Sequence, residues 1–543
     1  MQNGRKIGED FESCLALIKS WLQDCDEHDK CRMRRLHTNP LLPKRVLDVG
    51  SDGAETIRLY ETRQENAPYV CLSHCWGSKQ LITTTNQTLD ERKRRIPLSA
   101  LPPTFREAVV ITRRLGVRYL WIDSLCILQD RDDRTDWADQ SDLMFSIYAN
   151  AFLTIAATRS VDSSGGLFKK PAKFFVGERI PNSNLDVYIR MPLRHPIHDA
   201  NSNSWGRAHY YVTLNTRPFA ESPLLTRAWA FQERIFSNRV VHFGEHELVW
   251  ECSELTCCEC TVSTLRRSLK QQFLPALEPP KSTRTAQLSQ RDLPDFVAAW
   301  RNMVSAYRPL KLTHETDRLH ACSSFARQMQ PLMGGRYLAG LWEVILLEDL
   351  CWYRMDEWPP SARPSTYIAP TWAWPSVQSE IFWGDRMRQL PSRLKEPYTE
   401  VLQAQTTLAT DSAYGAVAAG YLVLRGPVVE ATYQFDSSTT RRSDRYSLRA
   451  NSSKLEFVVD YSLESPGSDQ VPHGEAVLLL AIGQKVIDVI TALVVRKCGP
   501  ETWQRIGFVM VRLRSDTLEH PNGYDAKWKV VFEQAPKREL KIM

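Results

Sequence analysis

Two short stretches carry residue types that do chemistry. The first, YVCLSHCWG at residues 69–77, sets Ser73, His74 and Cys75 side by side ahead of Trp76 and Gly77. A hydroxyl, an imidazole and a thiol are parts of nucleophilic catalysis, which needs a base within hydrogen-bond reach of the nucleophile. Neighbouring side chains on an extended chain point to opposite faces, so His74 does not readily serve Cys75. Cys126, just past the next strand, is the other thiol that could approach His74 across strands. The second stretch, CDEHDKC, offers Cys25, His28 and Cys31 at C-x-x-H-x-x-C spacing, three of the four ligands of a tetrahedral zinc site. A fourth ligand has to come from elsewhere. A further run, CSELTCCEC, holds Cys252, Cys257, Cys258 and Cys260. The alternative for Cys25, His28 and Cys31 is a set of buried or half-buried thiols capping a helix end.

The elements around these residues follow from periodicity. Phe11, Leu15, Ile18 and Leu22 recur at helical spacing, and RVLDVG and TIRLYE read as short strands before Tyr69. From there strands and helices alternate. The strands are Tyr69 to Ser73, Tyr119 to Asp123 and Phe152 to Ala156. Between the first two lie a polar connection over 83–100 and the helix LPPTFREAVVITRRLG, with Thr104 and Glu107 as a capping box and Gly116 as its stop. A second helix, DRTDWADQSDLMFSIYANA, turns Gln140, Met144, Ile147 and Ala151 to one face. This alternation predicts a parallel sheet with crossover helices, whose ligands lie beyond the carboxyl ends of the strands. On that rule SHCWG, the pair Asp123 and Ser124, and the pair Thr158 and Arg159 share one sheet edge. Trp76 then packs, and Gly77 lets the chain leave the sheet.

Further along, 160–222 reads as an irregular excursion. Residues 224–252 read as a short helix around Trp229 to Arg234 and a hairpin turning at Gly244, and 262–292 as a polar, exposed stretch. LPDFVAAWRNMVSAY, TDRLHACSSFARQM and LWEVILLEDLCWYRM read as helices, and strand patterns dominate from about residue 415. The expected division is 1–65 as helix and lead-in strands, 66–250 as the central domain, 251–400 as a helical extension and 401–543 as a β-rich module.

Composition bounds the class. The 543 residues are 43% hydrophobic and 10% aromatic, enough to bury more than one core. Lys plus Arg at 69 against Asp plus Glu at 63 leaves +6, too small an excess to point to nucleic acid. The basic run Arg92 to Arg95 in DERKRRIPL reads as a solvated loop face. With no signal-like start, no membrane span and thirteen cysteines that form no dense framework, a cytoplasmic chain with reduced thiols is expected.

YVCLSHCWG, LGVRYLWIDSLCILQD, MFSIYANAFLTIAA and TRAWAFQERIFSNRVVHF, in that order, resemble the HET (heterokaryon incompatibility) domain family of filamentous fungi. The upstream WLQDCDEHDKC is similar to the usual lead-in, and LTHETDRLHACSSFA, LWEVILLEDLCWY and YIAPTWAWPSV to the extension of long members. His74 stands where the family often has Tyr. The resemblance implies nonself recognition between fused cells, growth arrest and regulated cell death, with other incompatibility proteins or self-association as partners. It also implies an α/β, TIR-like fold, and some TIR domains cleave NAD. Three functions follow: a domain that signals by association, an NAD glycohydrolase, and a Cys/His hydrolase. For the glycohydrolase, a carboxylate must stabilise oxocarbenium-like charge and hold ribose hydroxyls; Asp123 and Glu233 are the candidates. Ser73, His74, Trp76, Gly77, Ser124 and Trp229 would line the ligand, the tryptophans stacking a ring. The competing roles are structural: Asp123 capping the next turn, Glu233 pairing with Arg227 or Arg234, and both tryptophans in the core.

Overall fold

The computed structural model describes residues 11–34, 39–77, 82–130, 132–133, 135–168, 178–179, 186–187, 222–245, 247–259, 268–277, 293–354, 360–383, 394–439, 445–485, 489–513 and 527–543. Cys260 and most of 160–222 and 262–292 lie outside them. The chain divides into two compact units, 1–278 and 279–543.

The first unit is a mixed α/β layer. Two helices, α1 (Phe11–Glu27) and α2 (Asp29–Arg34), precede the strands β1 (Arg45–Asp48), β2 (Thr56–Glu61) and β3 (Tyr69–Ser73). After β3 come α3 (Leu89–Arg94), β4 (Ile96–Pro97), α4 (Pro103–Arg114) and β5 (Tyr119–Ile122). Then follow α5 (Asp123–Cys126), α6 (Thr135–Ala149) and β6 (Leu153–Ala156), and a two-residue ladder β7 (Glu178–Arg179) with β8 (Asp186–Val187). The unit ends with α7 (Ala228–Phe236), β9 (Arg239–Phe243), β10 (Leu248–Cys252), β11 (Thr256–Cys258) and α8 (Leu269–Phe273). One nine-stranded sheet runs β11-β10-β9-β6-β3-β5-β1-β2-β4. Its centre is parallel: β3 pairs with β5 and β6, and β6 with β9. The flanks are antiparallel, β1 joining β5 on one side and β10 joining β9 on the other. Every residue of β3 and β6 is buried, as expected for strands covered on both faces.

The expected strands and crossover helices are therefore present, but three details differ. The connection over 83–100 contains α3 and β4, and the basic run sits on α3, where Arg92 Nε donates to the Thr83 carbonyl at 3.0 Å and Lys93 pairs with Glu61. Thr104 and Glu107 make no capping box: α4 begins after Pro102 with no side-chain cap. The Thr104 hydroxyl instead accepts from the Gly166 N–H at 3.1 Å, and Glu107 Oε2 accepts from the Leu167 and Phe168 N–H groups at 2.5 and 3.2 Å. Buried loop N–H groups outcompeted those of the helix start, because each must find an acceptor. In the stretch expected to be exposed, Ser268, Lys270 and Gln271 are buried, and Ser268 and Gln271 form a capping box for α8. Lys270 Nζ donates to the Ser237 carbonyl at 2.8 Å.

The second unit carries helices Leu293–Tyr307 and His320–Met333 and a separate ten-stranded sheet from Leu394 to Ile542. That sheet is antiparallel except where Thr502–Arg512 meets Lys537–Ile542. LWEVILLEDLCWYRM is not a helix. Its short pieces include the strand Leu341–Trp342 and the turn of helix Leu346–Asp349, because the Asp349 carboxylate accepts from the Trp342 N–H at 3.0 Å and pairs with Arg301. Arg505 pairs with Asp460 at 2.9 Å and lies 3.6 Å from the centre of the Trp352 ring; both charged groups are fully buried.

Candidate functional site

The chain leaves β3 for β5 on one side, then returns to β6 on the other, and leaves β6 for β9 further out. Connections thus diverge between β3 and β6, and a parallel sheet opens its crevice at such a switch point. Ser73 is the last residue of β3 and Asp123 the first after β5. Glu233 arrives from α7, the helix that leads into β9.

The Ser73 hydroxyl donates to Glu233 Oε2 at 2.5 Å, and both side chains are buried. Burial pushes the Glu233 carboxyl up to about 7; the nearby charge of Asp123 adds to the effect, while the Ser73 hydroxyl, Arg227 and Tyr148 oppose it. Asp123 faces three neighbours. Its Oδ2 accepts from the Trp76 indole at 2.8 Å, its Oδ1 accepts from the Ser124 N–H at 2.7 Å, and His74 Nδ1 lies 3.7 Å from Oδ1. Burial lowers the affinity of His74 for a proton, against the pull of Asp123. The imidazole packs edge-on against Phe105 at 4.8 Å. His74 Nε2 and Ser124 Oγ are buried with no hydrogen-bond partner among the described residues.

Ser73, Glu233, Asp123, His74 and Trp76 are thus linked by contact or field. Asp123 caps its following turn as well as holding Trp76. Glu233 pairs with neither arginine in a salt bridge: Arg234 is taken by Glu251 at 2.7 Å. Gly77 has a structural reason to be glycine. Its φ is +70°, and a Cβ there would sit 2.3 Å from the Asp162 Cβ. Trp229 stacks edge-on with Trp137 at 5.9 Å. The thiols do not suit a nucleophile: burial pushes Cys75 up to about 11 and Cys126 to about 12, away from the thiolate.

Two features escaped the residue pattern. A buried polar group joins Glu251 of β10 to Arg234 of α7 and, at 3.4 Å, to His242 Nε2 of β9. Charged residues inside the apolar runs RVVHF and LVWEC were its only trace. The other is Cys252, which ends β10 and joins Cys25, His28 and Cys31, the ligand atoms of all four lying within 4.8 Å of one another.

A mixed α/β chain with a parallel-centred sheet, with Asp123 just past β5 and Glu233 of α7 against the end of β3, is the class this geometry defines. Within it, residues 69–233 match the family model described as Heterokaryon incompatibility protein (HET), so the match opens on the first residue of β3 and closes on Glu233. No curated protein and no solved structure matches the chain. Among the described residues, no helix is long and apolar enough to cross a membrane.

Proposed function

We propose that the protein acts in heterokaryon incompatibility, using its HET segment to convert a nonself encounter between fused fungal cells into growth arrest and regulated cell death. The family match over 69–233 supports this reading, and the buried Ser73–Glu233 pair beside Asp123 is the observation that carries it to a site. Its partners are other incompatibility proteins or further copies of the chain. The test is expression of the full chain in a filamentous fungus, where growth slows or stops. Unimpaired growth at high expression, with and without a fusion partner of different genotype, would remove the reading.

A second reading is favoured by one observation: a carboxyl raised to about 7 stands close to another carboxylate. A carboxyl that holds its proton up to near neutrality, with a second carboxylate beside it, suits general acid–base work. In a TIR-like glycohydrolase, Asp123 would stabilise positive charge on the ribose carbon as its bond to nicotinamide breaks. Water would then form the new bond to that carbon, losing a proton to Glu233 and giving nicotinamide and ADP-ribose. Asp123→Asn and Glu233→Gln keep size while removing charge. If either abolishes both killing and NAD loss, the enzyme reading stands. If both variants kill like the parent while cellular NAD holds steady, the domain signals by association alone.

A further inference from the structure

From the convergence of Cys25, His28, Cys31 and Cys252, we infer a structural zinc site that ties the N-terminal helices α1 and α2 to the end of β10. The site lies outside residues 69–233, so the family match does not account for it. Cys25 is in the last turn of α1, His28 sits in the one-residue break before α2, and Cys31 is on α2. The break lets both helices turn their ligands inward. Cys252 comes from the opposite direction, 224 residues from His28.

The geometry fits a tetrahedral ion. Zinc bonds of about 2.3 Å to sulfur and 2.0–2.1 Å to nitrogen place two sulfurs about 3.8 Å apart and a sulfur about 3.6 Å from a nitrogen. Here His28 Nδ1 is 3.6 Å from Cys252 Sγ and 3.9 Å from Cys31 Sγ. A disulfide would use two of the three thiols and leave a third buried beside an imidazole with no bond to make. A metal uses all four, and no two described cysteines are joined. Three thiolates and one imidazole favour zinc over harder cations, and four protein ligands leave no open position for catalysis.

The surroundings suit a negatively charged cluster. Three thiolates on a divalent ion leave one net negative charge, and two cations lie close. Arg239 Nε donates to Cys25 Sγ at 3.4 Å, and the buried Lys270 is near enough to feel Cys252 and Cys31. The Leu255 N–H donates to Cys252 Sγ at 3.4 Å, an interaction that orients a metal-bound thiolate. Around the cluster, the Lys30 N–H donates to Glu254 at 3.0 Å and Trp21 packs against Trp250 with ring centres 6.0 Å apart. The ion would therefore close a loop of more than two hundred residues at a junction already aligned by packing, stabilising the native state against an unfolded chain in which the ligands are far apart.

Elemental analysis of the full-length protein, purified without added metal, tests this. Stoichiometric zinc is expected, with its release on titration of the thiols by a mercurial reagent. His28→Cys, which keeps four soft ligands, should retain the metal, and Cys257→Ser, on the neighbouring strand, should retain it fully. Cys252→Ser should lose zinc and show a lowered thermal midpoint; should that variant fail to fold, the conservative His28→Cys result and the parent stoichiometry still decide. Folded parent protein with no more zinc than its buffer overturns the inference. So does a disulfide between any two of Cys25, Cys31 and Cys252 in protein alkylated before reduction.

Discussion

A carboxyl group taken out of water and set against a serine hydroxyl no longer titrates as a surface acid does, and Glu233 makes that measurable. Its folded-state pKa of about 7 exceeds the unfolded value of 4.5, so the folded chain binds this proton more tightly. Below pH 4.5 both states hold the proton and the group is neutral to stability. As pH rises through 4.5 the unfolded chain releases its proton first, and stability falls until the folded group ionises near 7. Above that, the penalty levels at roughly 3 kcal/mol. Glu233→Gln is accordingly expected to raise the thermal midpoint at pH 8 and to leave it close to the parent at pH 4.5; an equal shift at both values would show that burial does not hold the proton. Ser73 and Asp123 are legible as polar residues that close the apolar runs YVCLS and LWID, whereas Glu233 is singled out only through the glycohydrolase chemistry that the family resemblance implies. The hydrogen bond joining the first to the last spans 160 positions, and no local pattern encodes it. The same distance hid Cys252 as the companion of His28.

Elements were legible where a strong period met a strong stop. Strands β3, β5 and β6 are short apolar runs between polar segments, and α4 has Pro103 at its start and Gly116, with φ +75°, after its end. The Thr104 and Glu107 spacing fits a capping box equally well, but the competitor, a loop sixty residues away, is invisible in that window. Glu107→Ala leaves the Leu167 and Phe168 N–H groups without their acceptor and is expected to cost about 1–3 kcal/mol. Hydrogen exchange at those two amides should accelerate more than within α4; uniform acceleration along α4 would instead mean that the glutamate serves the helix. LWEVILLEDLCWYRM misled for a related reason. Its apolar residues keep helical spacing, but a buried aspartate that must satisfy both Arg301 and a backbone N–H decides the chain path.

At the scale of the molecule, the β-rich end was legible from its run of strand patterns, while the joining of β1, β2 and β4 to the same sheet as β3 was not, because antiparallel flanks need partners chosen in space. The second unit has its own measurable weak point. Asp460 and Arg505 are fully buried partners, and removing one leaves an uncompensated charge. Asp460→Ala is expected to cost about 3–5 kcal/mol, read as a lower urea midpoint, with Asp460→Ala/Arg505→Met recovering most of it; a single variant as stable as the parent would mean that the arginine reaches water. One property of the first unit bears on how its copies could gather. The sheet's rims are β4, two residues long and ending in Pro97, which has no N–H, and β11, three residues long. Among the described residues, neither rim offers a row of donors and acceptors long enough to recruit another chain as an extra strand. Templated growth along the hydrogen-bond direction finds, among the described residues, no long rim at either end of this sheet. Any gathering of copies through this sheet would therefore rest on side-chain surfaces and not on shared backbone hydrogen bonds.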